Sequence, residues 1–452
     1  MKKRLFSILK FCLLFFVIFL ILMFFGHIFS YPDSINTYGF SYALYKGQIP
    51  YLEFNTITTP LYAFYQSLFL YIYNDSLMLM VSQTLLVTIN FILLYKLFGK
   101  KAFLFLLLIF VVRCSNVAFS YNYMCFFIMT LFVFVEKKFP NRDILSGLIL
   151  GLLFLTKHTV GCVSLLILVI LNYKDIKKLS KKIIGFLIPC FIFFVYLLIN
   201  GALYQFLDLC FFGLFDFLNK NGVGGGAINI GAICLLLFTV VCSLFILIKH
   251  KNDKLNFYMF AGLFLTIPVI DYFHVFFWLN CFLVIVLPYI NFDYKFIKLG
   301  LFFISSVVGI YYSLLFYNLY SKSSFCFSSG LNHFKYNYVS VDLYEKRLNN
   351  IKYVNSYEDP IIISGDSVRF SIINDRKLSY FDIFLDGNFG YNGNNKMMRR
   401  VDELHDQIFI VAKNEVNSVN MNDQFANEVY EYIISVSKKI ASNDYYNVYY
   451  KE

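Results

Sequence analysis

Long apolar stretches recur along most of the chain and are separated by short polar breaks. Only 15% of the 452 residues are charged and 59% are hydrophobic, whereas a soluble domain contains roughly 25% charged residues. This composition is typical of a polytopic membrane protein and excludes an ordinary soluble enzyme. The pattern predicts about eleven transmembrane helices, near residues 5–28, 76–97, 101–118, 122–136, 144–157, 159–172, 183–201, 228–248, 255–270, 274–290 and 298–319.

The distribution of positive charge predicts the orientation of these helices. Residues 321–452 contain 15 Lys or Arg and 17 Asp or Glu, so the net charge of +11 comes from the apolar part. If the N-terminus is cytoplasmic, 20 of the 24 basic residues before position 321 fall on the cytoplasmic side. Four fall on the outer side, and the positive-inside rule therefore predicts an extracytoplasmic C-terminal segment. The outer four are Lys46, Arg113, Lys157 and Lys220.

The first apolar stretch begins with Lys2, Lys3 and Arg4, and no small-x-small site follows it. It is therefore interpreted as an uncleaved anchor. The basic residues do not form one face of a soluble domain, so we expect no nucleic-acid partner.

From about Leu331 the pattern changes to that of a small α/β domain, with strands and helices in alternation. The predicted domains are a transmembrane module at 1–320, with a first outer loop at 29–75, and an extracytoplasmic domain at 321–452. In the latter we predict helices at 342–353 and 427–441 and strands at 360–365, 407–412 and 447–450. Ser364-Gly365-Asp366-Ser367 resembles a turn after a strand; it lacks the glycines of a phosphate loop, and an ordinary turn is the preferred interpretation.

Ionisable residues at the ends of apolar spans are the candidates for function, because each is costly there without a partner. Those on the predicted outer side form one set, and their convergence on one side favours a shared site. The set, with one polar neighbour, is Asp33, Glu53, Asn55, Arg113, Lys157, His158, Asp271 and His274.

Several members of this set also have simpler interpretations. Asp33 could cap the helix that follows it, Lys157 could extend its ammonium group from a helix end toward the interface, and His158 could be an ordinary interfacial histidine. Asp271 and His274 lie about one helical turn apart and could bond each other. Arg113 is the hardest to explain in this way, because its guanidinium group stays charged and needs an anion.

Three short patches carry a resemblance to a known family. The first outer loop contains Asp33, then Gly47-Gln48-Ile49-Pro50-Tyr51-Leu52-Glu53 and Thr59-Pro60-Leu61-Tyr62. It resembles the corresponding loop of C-type (GT-C) integral membrane glycosyltransferases, in the branch of protein O-mannosyltransferases and the lipid A aminoarabinose transferase. The segments 151–159 and 268–274 are similar to that branch's glycine-rich helix ending in a lysine and to its later outer turn.

The resemblance implies an inverting transferase that works at the outer face of its membrane, and the heavy use of Lys, Asn, Ile, Phe and Tyr favours a bacterial plasma membrane. Its donor would be a polyprenyl-phosphate-linked sugar, and its acceptor a lipid, a glycan or a protein of the envelope. Asp33 would be the general base that takes the proton from the acceptor hydroxyl. Cations would surround the leaving lipid phosphate, and the short spans would form a cavity at bilayer depth. The remaining substrate-binding candidates are Glu53, Asn55, Arg113, Lys157, His158, Asp271 and His274.

The chain departs from the family pattern in two places. Asp33 is followed by Ser34, where many relatives have a second acid, and the second outer loop, Cys114 to Tyr123, has no acid. No cofactor is therefore predicted with certainty, and a divalent cation at Asp33 and Glu53 stays an alternative.

Two other classes of function compete with the transferase. A transporter or flippase of lipid-linked sugars would share the membrane, but transporters place ionisable residues near the midplane and show paired halves. A polysaccharide polymerase or ligase would share the donor, but such enzymes concentrate catalytic residues in a large late loop between spans. In this chain the large outer segment is terminal and the early loop carries the distinctive acid.

Overall fold

The protein is described here by a computed structural model, which is mostly helical. The structure describes residues 2–25, 32–111, 120–221, 230–251, 253–267, 270–289, 314, 325–385, 387–413 and 426–452.

The helices and strands follow one another in this order: α1 (Lys2–Phe25), α2 (Pro32–Tyr45), α3 (Leu61–Leu70), α4 (Ser76–Phe98), α5 (Phe103–Val111), α6 (Tyr121–Lys138), α7 (Asp143–Thr156), α8 (His158–Asn172), α9 (Ile176–Ile199), α10 (Leu203–Leu207), α11 (Gly213–Asn221), α12 (Ile230–Lys249), α13 (Lys254–Phe260), α14 (Tyr272–Val286), β1 (Phe325–Phe327), β2 (Tyr338–Ser340), α15 (Val341–Val354), β3 (Ile361–Ile363), α16 (Ser367–Ile373), α17 (Gly393–Asp402), β4 (Gln407–Ala412), α18 (Asn427–Ser435), β5 (Lys438–Ser442) and β6 (Tyr446–Lys451). Short 3₁₀ segments lie at Gly99–Ala102 and Ala261–Thr266, and a π-helical turn lies at Asp208–Phe212.

Three helical runs in the described residues are long and apolar enough to cross a membrane: Ser76–Ile109, Ile176–Ile199 and Ile230–Lys249. The prediction of eleven spans is therefore not supported. The 3₁₀ turn after α4 joins two predicted spans into one run. Shorter apolar helices such as α7, with 14 residues, extend about 21 Å, less than the roughly 30 Å of a hydrocarbon core. The last predicted span, 298–319, lies almost wholly outside the described residues.

The chain forms two compact units. The first, here called the helical unit, comprises Met1–Ile28, Leu77–Phe193 and Asn229–Cys326. The second, here called the mixed unit, comprises Phe29–Ser76, Phe194–Ile228 and Phe327–Glu452. Each unit thus draws on three separate stretches of the chain, whereas the predicted domains follow chain order.

Glycines set the close packing of α7 and α9 in the helical unit. A Cβ atom at Gly147 would overlap the carbonyl oxygen of Lys182, and one at Gly185 would overlap that of Ile144. Gly151 likewise leaves room for the ring of Pro189, which lies inside α9. Because small residues let two backbones approach closely, this part of the unit packs as apolar helices do in membranes.

A four-stranded sheet with the order β3-β4-β6-β5 forms the centre of the mixed unit. β3 pairs with β4 in parallel, with Ile362 opposite Ile410. β4 and β6 are antiparallel, with Phe409 opposite Tyr449. Alternate strand residues face opposite sides, which gives the sheet two apolar faces. On one face, Phe409 and Val411 pack against α17 and α18; on the other, Ile410 and Val448 pack against residues of α15 and α16.

The strands predicted at 360–365, 407–412 and 447–450 and the helix predicted at 342–353 are confirmed, with small shifts at their ends. The helix predicted at 427–441 is wrong in its second half. α18 ends at Ser435, and residues Lys438–Ser442 form the edge strand β5. β5 is mostly exposed, and exposed lysines on an edge strand do not show the apolar alternation of a buried strand.

The segment predicted as the first outer loop packs on the C-terminal part of the chain within the mixed unit. Gln48 accepts a hydrogen bond from the Leu378 N–H at 2.9 Å and donates one to the Leu378 carbonyl at 2.9 Å. Gly39 of α2 lies so close to Val368 of α16 that a Cβ atom there would overlap it. The early loop is therefore an integral part of this fold.

Candidate functional site

Lys157 is the single extended residue between two apolar helices of the helical unit, with φ −151° and ψ 106°. Its N–H donates to the Leu153 carbonyl at 2.9 Å and ends α7, while its carbonyl accepts from Gly161 and begins α8. Gly161 permits the reversal, because a Cβ atom there would overlap the backbone of Phe154. The local fold therefore fixes the position of the lysine backbone.

The ammonium group of Lys157 contacts neutral oxygen atoms. Nζ donates to Asn122 Oδ1 at 3.3 Å and to the carbonyl oxygen of Leu265 at 3.2 Å. It also lies 5.7 Å from the centre of the Tyr121 ring, within reach of a cation–π interaction. The side chain is only 9% exposed, so the charge lies inside the unit and not at its surface.

Lys157 has no ionic partner in the part of the chain that the structure describes. A buried ammonium group without a carboxylate is costly and is a marker of a binding site for an anion. His158 begins α8 directly after it and is buried as well. This junction is therefore the strongest candidate for a binding site in the helical unit.

Asp271 and His274 bond each other, as their spacing allows. Asp271 caps α14: its Oδ1 accepts from the His274 N–H at 2.7 Å and lies 2.8 Å from His274 Nδ1. Burial alone would raise the pKa of Asp271, but the His274 side chain and backbone hydrogen bonds outweigh it and hold the pKa below its usual value. The carboxylate therefore orients the His274 ring through Nδ1.

Asp33 and Arg113 are known only by their place in the chain. Asp33 lies in the first turn of α2, which begins at Pro32, and is not the N-cap of that helix. The side chain of Asp33 and the whole of Arg113 lie outside the described residues. The roles predicted for both stay predictions.

Glu53 and Asn55 contact the C-terminal part of the mixed unit. Glu53 Oε2 accepts from the Ile49 N–H at 2.5 Å, and its Oε1 lies 3.5 Å from Lys377 Nζ. Asn55 is 1% exposed, and its amide donates to the carbonyl oxygens of Ile383 at 3.2 Å and Asn388 at 3.3 Å. Both side chains therefore stabilise the position of the first loop, and their predicted role in substrate binding stays untested.

A polar cluster that sequence reasoning did not identify joins α2 to the C-terminal part of the chain within the mixed unit. Asp375 accepts a hydrogen bond from the Tyr42 hydroxyl at 2.8 Å and lies 3.1 Å from Lys46 Nζ and 3.0 Å from His333 Nε2. Burial opposes the charge of Asp375, but these partners together hold its pKa below the usual value. No spacing in the sequence links positions 42, 333 and 375, so no local signal predicts the cluster.

Asn122 and Tyr121, which surround Lys157, were also missed. The sequence did contain a signal for Asn122. Ser120 caps α6, and its Oγ accepts a hydrogen bond from the Asn122 N–H at 3.1 Å. The side-chain amide of Asn122 therefore lies in the first turn of an apolar helix.

Within the described ranges, no group of three or more His, Cys, Asp or Glu residues is arranged to hold a metal ion. The predicted alternative of a cation at Asp33 and Glu53 involves a side chain that is not described. Comparisons of the chain with models of known families, with curated proteins and with solved structures give no match.

Proposed function

We propose that this protein is an inverting membrane glycosyltransferase of the GT-C type, with more spans than the three helices above. It transfers a sugar from a polyprenyl-phosphate donor to a lipid, glycan or protein acceptor at the extracytoplasmic face of a bacterial plasma membrane. The N-terminus is cytoplasmic and the C-terminal part is extracytoplasmic in this proposal.

The observation that carries the proposal is the environment of Lys157. Its ammonium group is buried between apolar helices and bonded only to neutral oxygens of the described residues. When a sugar leaves a lipid phosphate, negative charge develops on the phosphate. A preorganised cation in a medium of low dielectric constant stabilises that charge far more than water does. Lys157 meets this requirement.

The packing of the mixed unit supports the proposed orientation. Its three segments are the first loop, the region 194–228 that contains Lys220, and the C-terminal part. The predicted alternation of the loops, with a cytoplasmic N-terminus, assigns the first loop, Lys220 and the C-terminal part to the outer side. Segments that fold together must lie on one side of a membrane, so the two inferences agree.

Asp33 is the proposed general base, and this part of the proposal rests on the resemblance of the first loop. A carboxylate suits the role, because inverting transfer needs one base to take the proton of the attacking hydroxyl. Arg113 and His158 are proposed to bind the phosphate together with Lys157, and His274 is held in orientation by Asp271. Glu53 and Asn55 are proposed to shape the donor site from the first loop.

The test compares envelope glycans by mass spectrometry in cells with the protein, without it, and with single variants. Asp33→Asn and Lys157→Met remove the proposed base and the proposed phosphate ligand. Asp342→Asn and Lys137→Met are matched controls, because both residues are exposed and undergo the same changes of charge.

We expect one sugar modification to disappear without the protein and with either site variant, while both controls retain it. A modification that persists in the Asp33→Asn cells contradicts the assignment of the base. Loss of the modification with lipid-linked sugar retained on the cytoplasmic leaflet would favour the flippase instead.

A further inference from the structure

Two segments of the mixed unit have apolar side chains on the outside and polar side chains on the inside. One is α3 with the two residues that follow it, and the other is 203–217, which contains α10 and the first half of α11. Exposed apolar side chains that group together mark a surface for a protein or a membrane. Six large side chains, here called the outward set, are between 51% and 72% exposed: Leu68, Tyr71, Ile72, Tyr204, Phe212 and Phe215.

The polar side chains of α3 are turned into the mixed unit. Gln66 and Ser67 are buried, whereas their neighbour Leu68 is exposed. Gln66 Oε1 accepts a hydrogen bond from Ser41 Oγ at 3.0 Å, and Gln66 Nε2 donates one to the Tyr62 hydroxyl at 2.9 Å. A helix at a water-exposed surface has the opposite arrangement, with its apolar side toward the core. The outer side of α3 is therefore suited to an apolar environment.

The segment 203–217 is arranged in the same way. Its two charged residues are Asp208 and Asp216, and both are bonded to the C-terminal part of the chain. Asp208 Oδ2 lies 2.5 Å from Lys396 Nζ, and Asp216 accepts a hydrogen bond from the Asn392 N–H. Since both carboxylates are engaged within the unit, the exposed side chains of the segment are aromatic rings.

This segment is a separate element that follows a possible membrane span. α9 is one of the three runs long and apolar enough to cross a membrane, and it ends at Ile199. Gly201, with φ 66°, terminates it: the Gly201 N–H donates to the Leu198 carbonyl at 3.1 Å, and the Ala202 N–H donates to the Leu197 carbonyl at 2.9 Å. These two bonds form a Schellman motif, after which the chain changes direction.

Ring contacts place both segments beside the last turns of α9. The Phe206 ring lies 6.0 Å from that of Phe194, and the Phe64 ring of α3 lies 6.1 Å from that of Tyr196. Phe194 precedes the end of α9 by five residues, which is about 8 Å along the helix axis. Amphipathic helices that lie in a membrane interface enter it by a similar depth, roughly 5–10 Å.

The end of α3 is also close to the start of another possible span. The run Ser76–Ile109 begins four residues after Ile72. Four residues extend at most about 14 Å, so the chain itself keeps Ile72 near the point where that run begins. Both segments of the outward set thus adjoin an end of a possible span.

We propose that the outward set lies in the interface of the membrane that α9 enters and holds the mixed unit against that membrane. Its partner is the lipid itself, at the boundary between headgroups and acyl chains. Tyrosine rings are enriched at this level because they are amphipathic, and Phe and Leu side chains bury their apolar surface there. This contact is independent of the proposed transferase and of the roles of Asp33 and Lys157.

The test uses tryptophan fluorescence of the full-length protein in nanodiscs of zwitterionic lipid. Phe212→Trp and Ile72→Trp each add one fluorophore to the single native one, Trp278, which is buried and whose signal in the unaltered protein is subtracted. Each variant is measured with ordinary lipid, with lipid brominated near the headgroup end of the acyl chain, and with iodide in the aqueous phase. Ile440→Trp is the control, because Ile440 is an exposed apolar residue of the edge strand β5.

We expect brominated lipid to quench most of the added fluorescence of Phe212→Trp and Ile72→Trp, and iodide to quench little of it. Ile440→Trp should show the reverse. The proposal requires both site variants to respond to the lipid. Quenching by iodide to the extent seen in Ile440→Trp would mean that the outward set faces water. Protection from both quenchers would mean that protein, such as a second copy of the chain, covers it, and either result overturns the proposal.

Discussion

His333 Nε2 lies 3.0 Å from Asp375 Oδ1, and both residues have left-handed backbones, with φ 64° and 56°. The other ring nitrogen, Nδ1, lies 2.7 Å from the carbonyl oxygen of Asn74. Non-glycine residues in this region cost on the order of 1 kcal/mol or more and persist only when their surroundings compensate. The contacts across this pair supply that compensation and connect the end of the first loop to the C-terminal part.

Asp375→Asn should loosen the first loop within the mixed unit. The variant removes the charge that faces His333 and Lys46, and it weakens the bond to the Tyr42 hydroxyl. We expect the opening free energy of α2 to fall by about 1 kcal/mol, because the Asp375 side chain is 49% exposed and solvent screens its charge. Hydrogen exchange of residues 38–46 measures it. Asp444→Asn, at an exposed position, should leave this exchange unchanged; equal exchange in both variants would refute the role of the cluster.

Asp382 should make the stability of the mixed unit depend on pH. Its side chain is buried, accepting from Ser371 Oγ at 3.0 Å and from the Ser379 N–H at 2.6 Å. Burial raises the pKa of Asp382 to about 6. Between pH of about 4 and 6 the folded state thus binds more protons than the unfolded one, so the free energy of unfolding falls as pH rises.

Replacing Asp382 by Asn should remove this contribution. The amide cannot lose a proton, and it still accepts from the Ser379 N–H. Relative to the unaltered protein, the variant should gain up to roughly 3 kcal/mol as pH rises from about 4 to 7, since two pKa units are at stake. Unfolding of the full-length protein in detergent measures this difference. Parallel pH profiles would show that burial does not perturb Asp382.

Gly390→Ala should disturb the contact between the region 194–228 and the C-terminal part. Gly390 has φ 84°, and a Cβ atom there would overlap the carboxylate of Asp208. That carboxylate lies 2.5 Å from Lys396 Nζ. Gly47→Ala is the control, because Gly47 has φ 76° but no atom within 4 Å of a Cβ. Both variants place a Cβ atom on a left-handed backbone, which costs free energy in each case. Gly390→Ala should lose about 1–3 kcal/mol more stability than Gly47→Ala, because its Cβ atom also overlaps Asp208. Equal melting temperatures of the two variants would mean that the Asp208 side chain can move away from the added Cβ atom without a loss of stability.

Three of the four strands of the C-terminal sheet were predictable, because buried strands are short continuous apolar runs, whereas the helices α16 and α17 were not predicted. Ile361–Ile363 and Gln407–Ala412 are examples, and both are flanked by polar residues. The edge strand β5 was not predictable in this way. It lies at the edge of the sheet and none of its five residues is buried, so its lysines gave the same pattern as the end of a helix.

The candidate site was predictable only in its charged member. Lys157 is visible as a charge between two apolar stretches. Its partners Asn122 and Leu265 lie 35 and 108 positions away in sequence, and a backbone carbonyl has no side-chain signature. The docking of the first loop depends on equally distant pairs, so packing and not local pattern determines both.

Two buried lysines of the helical unit, Lys157 and Lys182, differ in whether they have an ionic partner among the described residues. Lys182 Nζ lies 2.7 Å from Glu136 Oε1, whereas Lys157 bonds only to neutral oxygens of the described residues. Their exposures are 1% and 9%. Breaking a buried ion pair leaves one charge uncompensated and is strongly destabilising, but removing a charge that has no ionic partner is not.

Lys157→Met should therefore lower the melting temperature much less than Lys182→Met, because only two neutral acceptors lose their donor, while the proposed transfer activity is lost. Lys182→Met should lower the melting temperature, because Glu136, whose side chain is 12% exposed, loses its cation, at a cost of up to about 3–5 kcal/mol. Thermal unfolding of both variants in detergent, together with glycan analysis of cells that express them, separates binding from stability. If Lys157→Met unfolds as easily as Lys182→Met, then Lys157 stabilises the helical unit, and binding of a lipid phosphate is no longer needed to explain its buried charge.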